Sequence, residues 1–237
     1  NSFSGGVTLS GGTVLVGNDA AFGLGTLTMS AGVVSSNGVD ARVIGNTLSL
    51  SNSVTFGDAT NSGTLTLNGA VGLTQATVLT IASDVLSSGV ISGTFDLTKQ
   101  GGATLTLNGV NTYSGITTVS AGSLTLGGTL SGSTTVDVLA NAFLNVVGVG
   151  SLNAGTTLGN AGTVNFSTAA QTLEVLNGAG LLNLDSTVLS LNSGTYTGVI
   201  AGSGSLVKSA GGVLTLGGSN SFSGGVTLSG GTVLVGN

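Results

Sequence analysis

Eight carboxylates and three cations are all the charged side chains in the 237 residues, 5% of the chain. A site that cleaves glycosidic bonds needs two carboxylates brought together, and lyase chemistry adds Arg, Lys or Ca²⁺ on the same face. Asp19, Asp40, Asp58, Asp84, Asp96, Asp137, Glu174 and Asp185 are widely spaced, with no DxD or ExxD cluster. They read as solvated or corner-capping residues. The chain is therefore expected to be no enzyme. It has no Cys and no His, which removes disulfides, thiol chemistry and the usual transition-metal ligands. No GGxGxDxUx run is present for Ca²⁺, so no cofactor or metal is expected. With Arg42, Lys99 and Lys208 as the only basic residues and a net charge of −5, no basic patch can form. Nucleic acid is not an expected partner.

The remaining candidates are weaker. Lys99 and Lys208 share strand parity with Leu97 and Leu206, and a pair of lysines could anchor an anionic sugar. The plainer expectation is that each apolar stem closes a core row while the ammonium reaches corner carbonyls. Tyr113 and Phe222 occupy one repeat position and are expected to pack inside, as are Tyr196 and Phe95. Thr pairs at Thr26/Thr28, Thr64/Thr66 and Thr104/Thr106 suggest an ice-binding face, but too many equivalent positions hold Ser, Asp, Glu or Asn.

What must position these residues is a strand-scale rhythm. TLTM at Thr26, TLSL at Thr47, TLTL at Thr64 and Thr104, SLTL at Ser123, LLNL at Leu181 and VLTL at Val213 alternate apolar with small polar residues. Gly or Asn follows four of these seven runs and Ser or Asp the other three, which is the signal of half-buried strands with turns between them. A mean hydropathy of +0.57 comes without any run of apolar residues long enough for a membrane-spanning helix, so none is expected. Short strands with recurrent corners favour a parallel solenoid over a sandwich or barrel. In such a stack equivalent side chains lie ~4.8 Å apart, where two like charges repel by about 0.9 kcal/mol even in water. Rows of Thr, Ser and Asn can instead bond to one another. The absence of proline fits strands that are paired on both sides.

Repeats are nested above that rhythm. Residues 1–18 are identical to 220–237, a tandem period of 219 (220 − 1), and 93–127 matches 202–236 at an offset of 109 (208 − 99 for the two lysines). Each period is thus two diverged halves of about 109 residues. Residues 1–237 are expected to form one continuous all-β segment, a single parallel β-solenoid of roughly nine to eleven coils of about 20 to 25 residues. Because both ends are the same ordinary repeat, the stack is expected to be uncapped and to continue end to end, by further repeats or by stacking of chains.

The run Leu97, Lys99, Leu105, Leu107, Gly109, Asn111, Tyr113, Gly115, Thr117, Val119, Gly122 and Leu124 resembles the passenger-associated transport repeat of bacterial type V autotransporters. A second copy runs Leu206, Lys208, Leu214, Leu216, Gly218, Asn220, Phe222, Gly224, Val226, Leu228, Gly231 and Val233. Ala103 and Ala210 stand where the family pattern has glycine, and Val226 where it has threonine. The resemblance implies a right-handed β-helix, secretion to the bacterial cell surface and a rod-like shape. It leads to the expectation of a structural repeat in a surface rod or extracellular filament, an adhesin stalk or matrix fibre that contributes to biofilm. A carbohydrate-active or glycan-binding β-helix is the alternative, and an ice-binding solenoid a minor one. Expected partners are the chain itself, end to end, and glycans or other cell surfaces.

Overall fold

The computed structural model describes residues 1–236; Asn237, the last residue of the second copy of the terminal repeat, lies outside the described residues. Among them there is no helix, and the strands pair in parallel throughout, wound into a β-solenoid of about 11 turns. Fifteen strands make one sheet, nine a second and three a third.

The alternation read from the sequence sets the inside and outside. In the second sheet Ile44, Leu67, Ser87, Leu107, Leu126, Val146 and Phe166 stand opposite one another in successive coils. Each is at most 4% exposed. Every large apolar member of such a row gains roughly 1.5–3 kcal/mol from burial, and the row passes without interruption from coil to coil. Ser87 breaks its chemistry, since its hydroxyl is buried with no hydrogen-bond partner.

Corners are made in two ways. In the early coils single long strands, Val7–Val16, Leu27–Ser36, Leu48–Phe56 and Val71–Ile81, bend in mid-course. Their alternation stops for a few residues and then resumes, with register shifts at the bend. Gly12 (φ 77°), Gly32 (φ 92°) and Asn52 (φ 57°) sit in three of these bends. Left-handed backbone is open to glycine and tolerated by asparagine, and it lets an extra residue bulge out while the strand turns. Later corners are short loops between short strands, such as Thr104–Leu107 and Val110–Asn111.

Some coils are shorter than the range expected from the sequence. Leu158 faces Leu176, a step of 18 (176 − 158), and Leu189 faces Leu206, a step of 17 (206 − 189). Fewer corner residues close the turn there.

Candidate functional site

The repeat motif is long enough to wind once around the axis and then lie on itself. Leu97–Gln100 pairs with Thr117–Val119, and Thr104–Leu107 pairs with Ser123–Leu126. In the second copy Ser205–Lys208 pairs with Val226–Leu228, and Val213–Leu216 with Thr232–Val235. Leu97, Leu105, Leu107, Leu206, Leu214 and Leu216 all point into the core and are at most 3% exposed.

Both lysines are buried, Lys99 to 1% and Lys208 to 0% exposure. Lys99 Nζ donates to the carbonyls of Gly101 (2.8 Å), Ala121 (2.8 Å) and Gln100 (3.2 Å). Lys208 Nζ donates to those of Ala210 and Gly230, the second at 3.2 Å. Each ammonium thus ties its own corner to the corner of the next coil and is spent on backbone oxygens. Burial pulls the Lys99 ammonium down to about 8, against an opposing pull from Asp84.

Gly122 and Gly231 complete that corner, at φ 63° and 71°. A Cβ at Gly122 would sit 2.4 Å from the Gly101 carbonyl oxygen, and one at Gly231 2.3 Å from that of Ala210. Both space and dihedral therefore demand glycine. At Gly115 and Gly224 the demand is spatial alone, since the preceding coil's backbone lies 2.2 and 2.5 Å from the position a Cβ would take.

Asn111 is fully buried and joins three coils. Its Oδ1 accepts the Ile91 amide hydrogen at 3.0 Å, and its Nδ2 donates to Gly109 O at 2.9 Å and Thr129 O at 3.2 Å. Asn220 repeats this with the Ile200 amide (2.9 Å) and Gly218 O (3.0 Å). Asn1, at the same position of the first copy, donates to Ala21 O at 2.7 Å. Nearby, Tyr113 is buried with its hydroxyl 2.7 Å from Thr117 Oγ1, which donates on to Ser133 Oγ at 3.0 Å. Burial pushes the Tyr113 phenol above its usual range. Phe222 lies partly buried against the core.

Four of the eight carboxylates accept backbone amide hydrogens. Asp84 accepts the Thr104 amide hydrogen (2.9 Å), Asp96 that of Ile116 (2.8 Å) and Asp19 that of Val43 (2.9 Å), each in the following coil. Asp58 accepts from the Thr60 and Asn61 amides, and the bonds to Asn61 above all hold its carboxyl below the ordinary range. Asp40 pairs with Arg42 at 3.4 Å, Glu174 accepts from Asn192 Nδ2, and Asp185 has left-handed backbone (φ 46°). Desolvation raises the Asp137 carboxyl. Among the described residues no three acidic side chains gather as a metal site would require. A cavity of about 520 Å³ opens beside Asp19, Leu24, Val43 and Asn46, and its single carboxylate is the one already bonded to Val43.

One aromatic side chain departs from the expectation of packing inside, and a second does more than pack. Phe95 is 40% exposed, not packed inside, because it lies on a corner whose Gly115 neighbour offers no side chain to cover it. Tyr196 is fully buried as expected, but it also carries a polar network that spacing did not reveal. Its hydroxyl donates to Gly180 O (2.8 Å) and accepts from Asn160 Nδ2 (2.8 Å), a residue 36 positions away. Burial pushes the Tyr196 phenol to about 12.

Residues 1–16, 97–126 and 206–235 match the passenger-associated-transport-repeat family. The chain is also similar to the adhesin BmaC autotransporter of Brucella suis biovar 1 (strain 1330), 33% identical over 146 residues. That match covers 59% of this chain and 4% of the adhesin, so the chain spans only a small part of its relative's length. No solved structure matches it.

Proposed function

We propose that this chain, an autotransporter passenger β-helix, serves as a stiff structural segment of a secreted bacterial surface adhesin. The observation that carries this reading is the unbroken parallel ladder, in which core rows and corner bonds pass from coil to coil. Such a stack resists bending because each coil's backbone groups are bonded on both sides. Its outward rows of Thr, Ser and Asn, with 5% charge overall, accumulate no repulsion as the stack lengthens. The two lysines, Asn111, Asn220 and the carboxylates of Asp19, Asp58, Asp84 and Asp96 are bonded to backbone, which supports a structural role over an enzymatic one. Display at the cell surface is supported by the repeat family and by the similarity to an adhesin.

The identity of 1–18 with 220–237 supports a tandem array in which units of one such period continue the rod end to end. Proteins carrying one, two and three such units, imaged by negative-stain electron microscopy, test this. At ~4.8 Å per coil each added unit lengthens the particle by ~50 Å at constant width. Particles that grow in width, or separate into beads, contradict it. Incubation with neutral and acidic polysaccharides tests the enzymatic alternative: bond cleavage lost on a single Asp substitution would establish it instead.

A further inference from the structure

Two outward rows run side by side along the second sheet. Phe143, Thr163, Leu181 and Val199 stand opposite one another in successive coils, and two residues on so do Asn145, Asn165, Asn183 and Ala201. Between the rows Leu144, Val164, Leu182 and Ile200 point inward with 0% exposure, so the flanking rows share the outer face. Phe143, Leu181 and Val199 remain 45%, 40% and 38% exposed. No charged residue lies in the four strands that carry the rows.

The amide row is an interrupted ladder. Asn145 uses both ends of its carboxamide: Nδ2 donates to Ser123 Oγ at 2.8 Å, and Oδ1 accepts from Asn165 Nδ2 at 2.7 Å. Asn183 breaks the line by turning its Oδ1 to the Asp185 amide at 3.0 Å. Asn165 Oδ1 and Asn183 Nδ2, on adjacent coils, are left without a protein partner among the described residues.

We propose that this face is a binding track for an extended, neutral glycan chain. A free acceptor beside a free donor meets a hydroxyl, the group that both donates and accepts. The row alongside, apolar except at Thr163, offers surface to the C–H faces of sugar rings. The four strands carry no cation for an anionic glycan to recognise, and the exposed Asp185 beside Asn183 disfavours one. A rise of ~4.8 Å per coil is close to the length one ring adds to an extended glycan, so a chain lying along the axis meets the rows in nearly the same way at each coil. The proposal rests on the reading of the chain as a surface adhesin segment and adds the ligand class to it.

The test is an NMR titration of the ¹⁵N-labelled chain with cellohexaose, maltohexaose and hexagalacturonate. The side-chain amide signals of Asn165 and Asn183 shift and saturate with cellohexaose, whereas curved maltohexaose and anionic hexagalacturonate bind about tenfold or more weakly. Leu181→Asp abolishes the shifts, with Leu181→Ser in its place if the aspartate impairs folding, and Val213→Asp on another face leaves them intact. The proposal is overturned if cellohexaose moves neither amide, if hexagalacturonate binds equally well, or if sedimentation shows that the face pairs with a second copy and Leu181→Asp dissolves that pair. Each of these leaves the rod reading standing, because particle length is measured without ligand.

Discussion

Asn111 holds the amide of Ile91 in the preceding coil at 3.0 Å, and Asn220 holds that of Ile200 at 2.9 Å. The carboxamide supplies an acceptor to one coil and donors to others, which no other side chain of that size except its longer homologue can do. Asn111→Ala strands a buried amide and two carbonyls and is expected to cost about 2–4 kcal/mol. Asn111→Asp costs more, since it points a carboxylate at the Gly109 and Thr129 oxygens. Urea unfolding of the three proteins gives the ranking, and an aspartate as stable as wild type would refute the clamp.

Gly122 and Gly102 lie in one motif but face different constraints. Gly122 has left-handed backbone and a carbonyl 2.4 Å from where a Cβ would stand, whereas Gly102 has open space. Gly122→Ala is expected to lower stability by about 1–3 kcal/mol. Gly102→Ala is expected to be neutral or to stabilise by about 0.4–1 kcal/mol through the unfolded chain. Thermal melts of both variants decide this.

Ser87 places an unpaired hydroxyl between Leu67 and Leu107 in the core row. Ser87→Ala removes a desolvated polar group and little volume, so it is expected to raise stability by about 1 kcal/mol. A loss of stability would mean that the hydroxyl has a partner.

Lys99 makes stability depend on pH. Its folded-state value of about 8 lies below the ordinary 10.5, so between the two the unfolded chain binds more protons. Stability therefore rises with pH across that window. Tyr113 and Tyr196, raised by burial above 10.0, act the other way, and stability falls once pH passes that value. Lys99→Met is expected to abolish the rise and keep the fall. Urea midpoints from neutral to strongly alkaline pH check both limbs.

The alternation of Leu with Thr made the strands, their inward faces and the solenoid legible, because each residue's side is set by its own strand. The register that sets Thr117 opposite Leu97, a step of 20 (117 − 97), is a property of one coil and was not fixed by the longer repeats of 109 and 219. What could not be read depends on neighbouring coils. Whether Phe95 is covered is decided by the residue stacked on it, and that residue is Gly115. The bond of Tyr196 to Asn160 joins residues two coils apart, with no local pattern to mark it. The short coil that brings Leu189 opposite Leu206 arises in corners where alternation is silent. Lys99 and Asn111 were visible as recurrent residues, but their carbonyl and amide partners come from backbone, which carries no sequence signature.

Axial distance along the stack tests the central claim most directly. The chain has no cysteine, so spin labels can be placed in pairs on one outward row, at Thr66 with Thr106, Asn145 or Asn183, which are successively linked by register. Each partner lies two coils beyond the last. Pulsed electron–electron double resonance is expected to return distances that grow linearly by ~9.6 Å per step, from ~10 to ~29 Å. Distances that level off or shorten at Asn183 would show a chain folded back on itself and would contradict the rod.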